Sequence, residues 1–153
     1  MTDGSADEPD HPGNGLVLAE GVAMKWLSRE LITGPRMALV LSEEDYTRVM
    51  DDMGAPMSAR GPWIGGTGSD ARVHILENNK GHVACIVALN VPRGASGIEI
   101  AGILVHEAVH IFQGWCENTG EKNPSSEFEA YSIQSIAQTL MESYAEQTAV
   151  GRK

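Results

Sequence analysis

The chain of 153 residues is short of several things, and each shortage excludes something. It has only two cysteines, Cys85 and Cys116, far apart and both in apolar periodic segments. There is no C-x-x-C pair, so neither a disulfide framework nor a cysteine-based metal knuckle is expected, and both thiols read as reduced core residues. Basic residues are few: 11 Lys and Arg face 21 Asp and Glu, a formal net charge of −10. Such a chain repels phosphate backbones and anionic lipid, which argues against nucleic acid or a membrane surface as partner. The N-terminus has no apolar stretch of the kind that forms a signal peptide, and no apolar run approaches a membrane span. These absences together lead us to expect a cytoplasmic protein. No internal repeat is visible.

The remaining composition is ordinary. Hydrophobic residues make up 42%, and the length suits a single core. Met1 to Gly15 hold Asp3, Asp7, Glu8 and Asp10 with almost nothing apolar, and we expect residues 1–15 to be a disordered acidic tail. Residues 16–153 then form one domain. From Leu16 to Thr33, Val22, Met24, Trp26, Leu27, Leu31 and Ile32 recur at helical spacing, and Gly34-Pro35 ends that helix. Arg36 to Leu41 reads as a short buried strand. Ser42 caps a helix running to Met53, with Glu43, Glu44 and Asp45 in its first turn. The Gly- and Pro-rich stretch Ala55 to Ser69 is a long loop, a length often put to functional use. Its Trp63 and Ile64 are candidates to line a pocket, but packing down of the loop is the role we expect of them. Arg72 to Glu77 and His82 to Val91 flank a turn-rich tetrad and predict a hairpin. If His82 to Val91 is a sheet edge, it can bind an extended peptide by strand addition.

The last third of the chain carries the chemistry. Ser96 opens a helix to about Glu117 that is apolar almost all round, and such a helix is buried within a domain. Within it stands His106-Glu107-Ala108-Val109-His110. Residues four apart share a helix face, so His106 and His110 can aim their imidazoles at one metal ion, while Glu107 can take a proton from water on that metal without ligating it. A catalytic zinc wants three protein ligands and a place for water. The final helix, opened by Asn123-Pro124 and running to about Thr148, offers Glu127 and Glu129. Glu129 is in register with Ile133, Ile136 and Leu140, the inward face, whereas Glu127 is in register with Tyr131, Gln134 and Gln138. The expected ligands are therefore His106, His110 and Glu129 on Zn2+, with Glu107 as general base. An oxyanion donor is not specified by the sequence: Tyr131, Tyr144, His74 and His82 are candidates, each with an ordinary core, helix-surface or solvated hairpin role as the alternative.

His106-Glu107-x-x-His110 followed by Glu129-Ala130 resembles the zincin-fold, glutamate-type metallopeptidases. Glu127-Phe128-Glu129-Ala130-Tyr131 is similar to their Glu-x-Glu-Ala-Asp pattern, with Tyr131 where an Asp often stands. The longer run from His106 to Ala137, including Gln113, Cys116-Glu117, Gly120-Glu121 and Pro124-Ser125, is similar to small zincin-like proteins of tailed phages and prophages. This resemblance implies a minimal zincin-like α+β fold, a small, mostly antiparallel sheet packed on an active-site helix and a C-terminal helix. It implies a zinc-dependent metallopeptidase-like hydrolase acting on a protein or peptide substrate, in a host cytoplasm if phage-encoded. The alternative is a phage assembly or interaction protein whose zinc site is mainly structural.

Overall fold

The computed structural model describes residues 34–66 and 68–150. The expected tail and the expected helix of residues 16–33 lie outside them. The described chain is an α+β fold: strand β1 (Arg36–Val40), helix α1 (Glu43–Asp52), a 3-10 turn (Met57–Ala59), strands β2 (Ala71–Glu77) and β3 (Val83–Leu89), and helices α2 (Gly97–Thr119) and α3 (Ser126–Val150).

Local chemistry sets the helix limits. The Ser42 hydroxyl accepts from Asp45 N at 3.1 Å and so caps α1. At α2 the cap is reciprocal: Ser96 Oγ accepts from Glu99 N, and the Glu99 carboxylate accepts from Ser96 N at 2.7 Å. Gly120 ends α2 at φ 73°, a left-handed conformation in which a Cβ would be strained. The Ser125 hydroxyl accepts from Phe128 N at the start of α3.

The sheet order is β1-β3-β2, with β1 parallel and β2 antiparallel to β3. The sheet is thus mixed, and β3 is its central strand rather than an edge. The composition explains this: β3 reads Val-Ala-Cys-Ile-Val-Ala-Leu, apolar at every position, as a strand covered on both faces must be. Strand addition to β3 is excluded by its two neighbours. Among the described residues β1 and β2 are the two edge strands, and burial alternates weakly along β2.

Each face of the sheet builds its own core. On one, Leu39, Cys85, Val87 and Leu89 pack against Ile100, Leu104, Ala108 and Ile111 of α2 and Ala137 and Leu140 of α3. On the other, Ala38, Val40, Ile86 and Ala88 pack against Tyr46, Val49 and Met50 of α1. Trp63 and Ile64 close this second core, so the long loop is packed down through them. Helix α2 is not buried all round: Ile98 is 85% and Val105 41% exposed. Among the described residues, the three-stranded sheet and α3 cover one side of α2. The other side is left uncovered by the described residues, and its histidine stripe faces the edge strand β2.

Candidate metal centre

The polar stripe of α2 follows from helical phase. Glu99, His106, His110, Gln113 and Glu117 fall within about 60° of one another around the axis at 100° per residue. This stripe lies to one side of the core face made by Ile100, Leu104, Ala108 and Ile111. His106 and His110 are both exposed, with their Nε2 atoms 3.0 Å apart and rings set edge to face. Two nitrogens each at the zinc–imidazole bond length of about 2.05 Å and 3.0 Å apart subtend roughly 94° at the ion, close to the ~109° of a tetrahedral site. The pair therefore fits a single metal ion with little movement.

Glu107 sits differently. It is only 5% exposed, and among the described residues nothing hydrogen-bonds its carboxylate. Burial raises its pKa above the usual carboxylate range, while the positive charge of His106 and His110 pulls it back down. No buried side-chain oxygen or nitrogen of the described residues lacks a partner, so the Glu107 carboxylate reaches the solvent of the cleft, and a carboxylate with a raised pKa in a cleft is a candidate for acid-base work.

Two cavities meet at this point. One of about 730 Å³ opens toward the N-terminal end of α2, between Ser69, Asp70, Arg93, Glu99, His106 and Glu107. The other, of about 500 Å³, follows α2 toward its C-terminus between Ser69, Ile75, His110, Gln113 and Glu117. Ser69, Ala71, His106 and Glu107 line both. The cleft thus runs along the edge strand β2 with the histidine pair and Glu107 at its middle. The end of the long loop lines the cleft through Gly68 and Ser69; Trp63 and Ile64 do not take part. Gly114 lets the two walls approach closely, because a Cβ there would overlap the Ile75 side chain.

The third expected ligand is not brought to the pair. Among the described residues no group of three or more His, Cys, Asp or Glu could hold a metal ion. Glu129 is exposed in the first turn of α3, as is Glu127. The inward place in that turn belongs to Phe128, whose ring lies 5.9 Å from Phe112 and 5.7 Å from Trp115. The Glu129 carboxylate instead acts on Cys116, whose thiol pKa is raised by burial and by the charges of Glu121 and Glu129. Cys116 lies six residues beyond His110 and so about 120° away around the helix.

None of the four candidate oxyanion donors lines either cavity. Tyr131 is 65% exposed, Tyr144 packs on the first core, and His82 is exposed at the hairpin. His74 is not on a solvated face: it is 7% exposed on the far side of the sheet. Its Nε2 faces Trp63 O at 3.0 Å, and its Nδ1 lies 3.4 Å from Tyr46 Oη. The strand alternation of β2 explains this, since His74 shares a face with Leu76 and that face is covered by α1 and the loop. Gln113 and Glu117 are cleft residues that the motif alone did not single out. Their spacing of three and seven from His110 was the available signal.

The chain matches no family model, no curated protein and no solved structure.

Proposed function

We propose that this protein is a zinc-dependent metallopeptidase-like hydrolase. The observation that carries this reading is Glu107: a mostly buried residue whose carboxylate has no hydrogen-bond partner among the described residues and opens to the cavities, set beside two imidazoles with facing nitrogens at the junction of two cavities.

His106 and His110 would hold the ion. When bound, zinc supplies a Lewis acid and lowers the pKa of water into the neutral range. Glu107 takes the proton from the attacking water and delivers it to the leaving amine. Its semi-apolar setting suits the task, because a carboxylate raised by burial accepts a proton more readily than a solvated one. The edge strand β2 gives an extended peptide backbone something to pair with, so strand addition returns here on β2 in place of β3. Glu129 remains the proposed third ligand and would complete the site with His106 and His110.

A structural zinc is normally closed by four protein ligands. Two exposed imidazoles on a cleft argue against the alternative of an assembly protein with a purely structural ion. Glu107→Gln tests the reading. The variant should retain zinc and fold while peptide hydrolysis falls by about 10²–10⁴-fold. Undiminished hydrolysis in that variant would sink the assignment. For the ligand set, zinc stoichiometry should drop in His106→Ala and Glu129→Ala but not in Glu127→Ala.

A further inference from the structure

The two ends of the cleft differ in charge. Toward the N-terminus of α2, Arg93 stands among Asp70 and Glu99, and the Glu99 carboxylate already accepts from Ser96 N and Ser96 Oγ at 2.7 and 2.8 Å. That end is mixed. Toward the C-terminus of α2, the lining is more uniform. Arg72 contributes to it, but its guanidinium lies on the opposite face of the sheet, where a Cβ on Gly61 would sit 3.6 Å from Nη2. The carboxylate on the lining at this end is Glu117. Glu77, at the end of β2 and outside the lining, accepts from Asn118 Nδ2 at 3.2 Å. Among the described residues neither carboxylate is in an ion pair: Arg48 pairs with Glu44 and Asp45, and Arg60 with Asp51. The same cavity is also lined by Glu107, nine-tenths buried and without a hydrogen-bond partner. Among the described residues Arg72 is the one Arg or Lys on this lining, and it is in no ion pair with Glu117 or Glu107.

Glu117 follows His110 by seven residues, two turns or about 10.5 Å along the helix axis. An extended peptide advances about 3.3 Å per residue. A chain lying along β2 with its reacting bond at the histidine pair therefore brings its third residue from that bond to Glu117. We propose that this end of the cleft selects a cationic side chain, Lys or Arg, about three residues from the reacting bond, with Glu117 as the specificity-determining residue. This inference rests on the peptide-hydrolase reading and names its substrate class.

The test uses the full-length zinc-loaded protein and quenched fluorogenic decapeptides that differ only in Lys, Gln or Glu at that position. kcat/KM should favour Lys over Glu by about tenfold, a factor expected from exchanging a partly exposed ion pair for a like-charge contact. Glu117→Lys should invert the order, and 0.5 M salt should flatten it. A second readout needs no turnover: fluorescence anisotropy of the same peptides on Glu107→Gln. Tighter binding of the Lys peptide, lost in the Glu107→Gln/Glu117→Lys double variant, would uphold the selection even if no peptide were cleaved, and the hydrolase reading alone would then fall. Cleavage or binding indifferent to Glu117→Lys would overturn the selection and leave the hydrolase reading standing. Neither cleavage nor binding of any peptide would overturn both.

Discussion

The buried histidine on the far side of the sheet offers a sharp test of the structure. His74 Nε2 faces a carbonyl, that of Trp63, so Nε2 carries the proton and donates. The Tyr46 hydroxyl donates to Gly61 O at 2.9 Å. These two bonds tie the long loop to β2 and α1. Burial is the main influence on His74 and lowers its pKa; the bond to Trp63 O raises it in part, and the Arg72 guanidinium lowers it again. A histidine whose folded pKa lies below its unfolded value of about 6.5 binds more protons when unfolded. Its contribution to stability is therefore complete above about pH 6.5 and is lost as the pH falls through that value toward the folded pKa. One proton taken up on unfolding gives a slope of at most about 1.4 kcal/mol per pH unit. In His74→Gln this dependence disappears, while His82, His106 and His110 remain in both proteins and cancel. Urea unfolding with a chelator present, from pH 8 to pH 5, measures the difference. Between pH 7 and 5.5 the wild type should lose at most about 1.3 kcal/mol more than the variant, which at an m-value of ~2 kcal/mol/M is a midpoint shift of at most about 0.6 M. Parallel profiles, or a steeper loss in His74→Gln, would refute the buried, neutral histidine. The loop should also become more sensitive to proteolysis between Ala55 and Gly66 at the acid end of this range.

Other consequences are more local. Ser96→Ala removes the capping box of α2 and should cost about 1 kcal/mol, a fall in melting temperature of roughly 2–4 °C by calorimetry. Gly120→Ala puts a Cβ on a left-handed residue and should cost about 1–2 kcal/mol in the same assay, whereas Gly102→Ala, helical and with nothing near a new Cβ, should stabilise by about 1 kcal/mol. Zinc at one hundred times its dissociation constant should raise the unfolding free energy of the wild type by about 2.7 kcal/mol and leave that of His106→Ala/His110→Ala unchanged. A zinc effect that survives in the double variant would place the ion elsewhere.

Much of this molecule was legible without coordinates, because it rests on local interactions. The Ser42 and Ser96 caps and the Gly120 stop are contacts within one turn, and the structure places them where the residues imply. The position of His106 and His110 on one face of a long helix is also a matter of spacing alone. The α+β class follows from which periodicity each segment carries. The strand order was legible in part: the residues leave open whether His82 to Val91 is an edge, and the unbroken apolar run of β3 was the mark of a central strand.

What the tertiary structure decided is what depends on long-range packing. Glu129 has an inward helical phase, but Phe128 takes the inward place against Phe112 and Trp115, since an aromatic ring gains more from burial than a carboxylate does. His74 is buried because the loop and α1 fold over its face of β2, a contact between segments no pattern within β2 announces. The cleft is likewise a product of topology. Only when β2 becomes an edge strand beside α2 do Ser69, Gln113 and Glu117 join His106, Glu107 and His110 around one space. The sequence by itself determined a pair of imidazoles with a carboxylate between them. Packing decided that the imidazoles face solvent, that Glu107 is mostly buried beside them, and that an edge strand runs alongside.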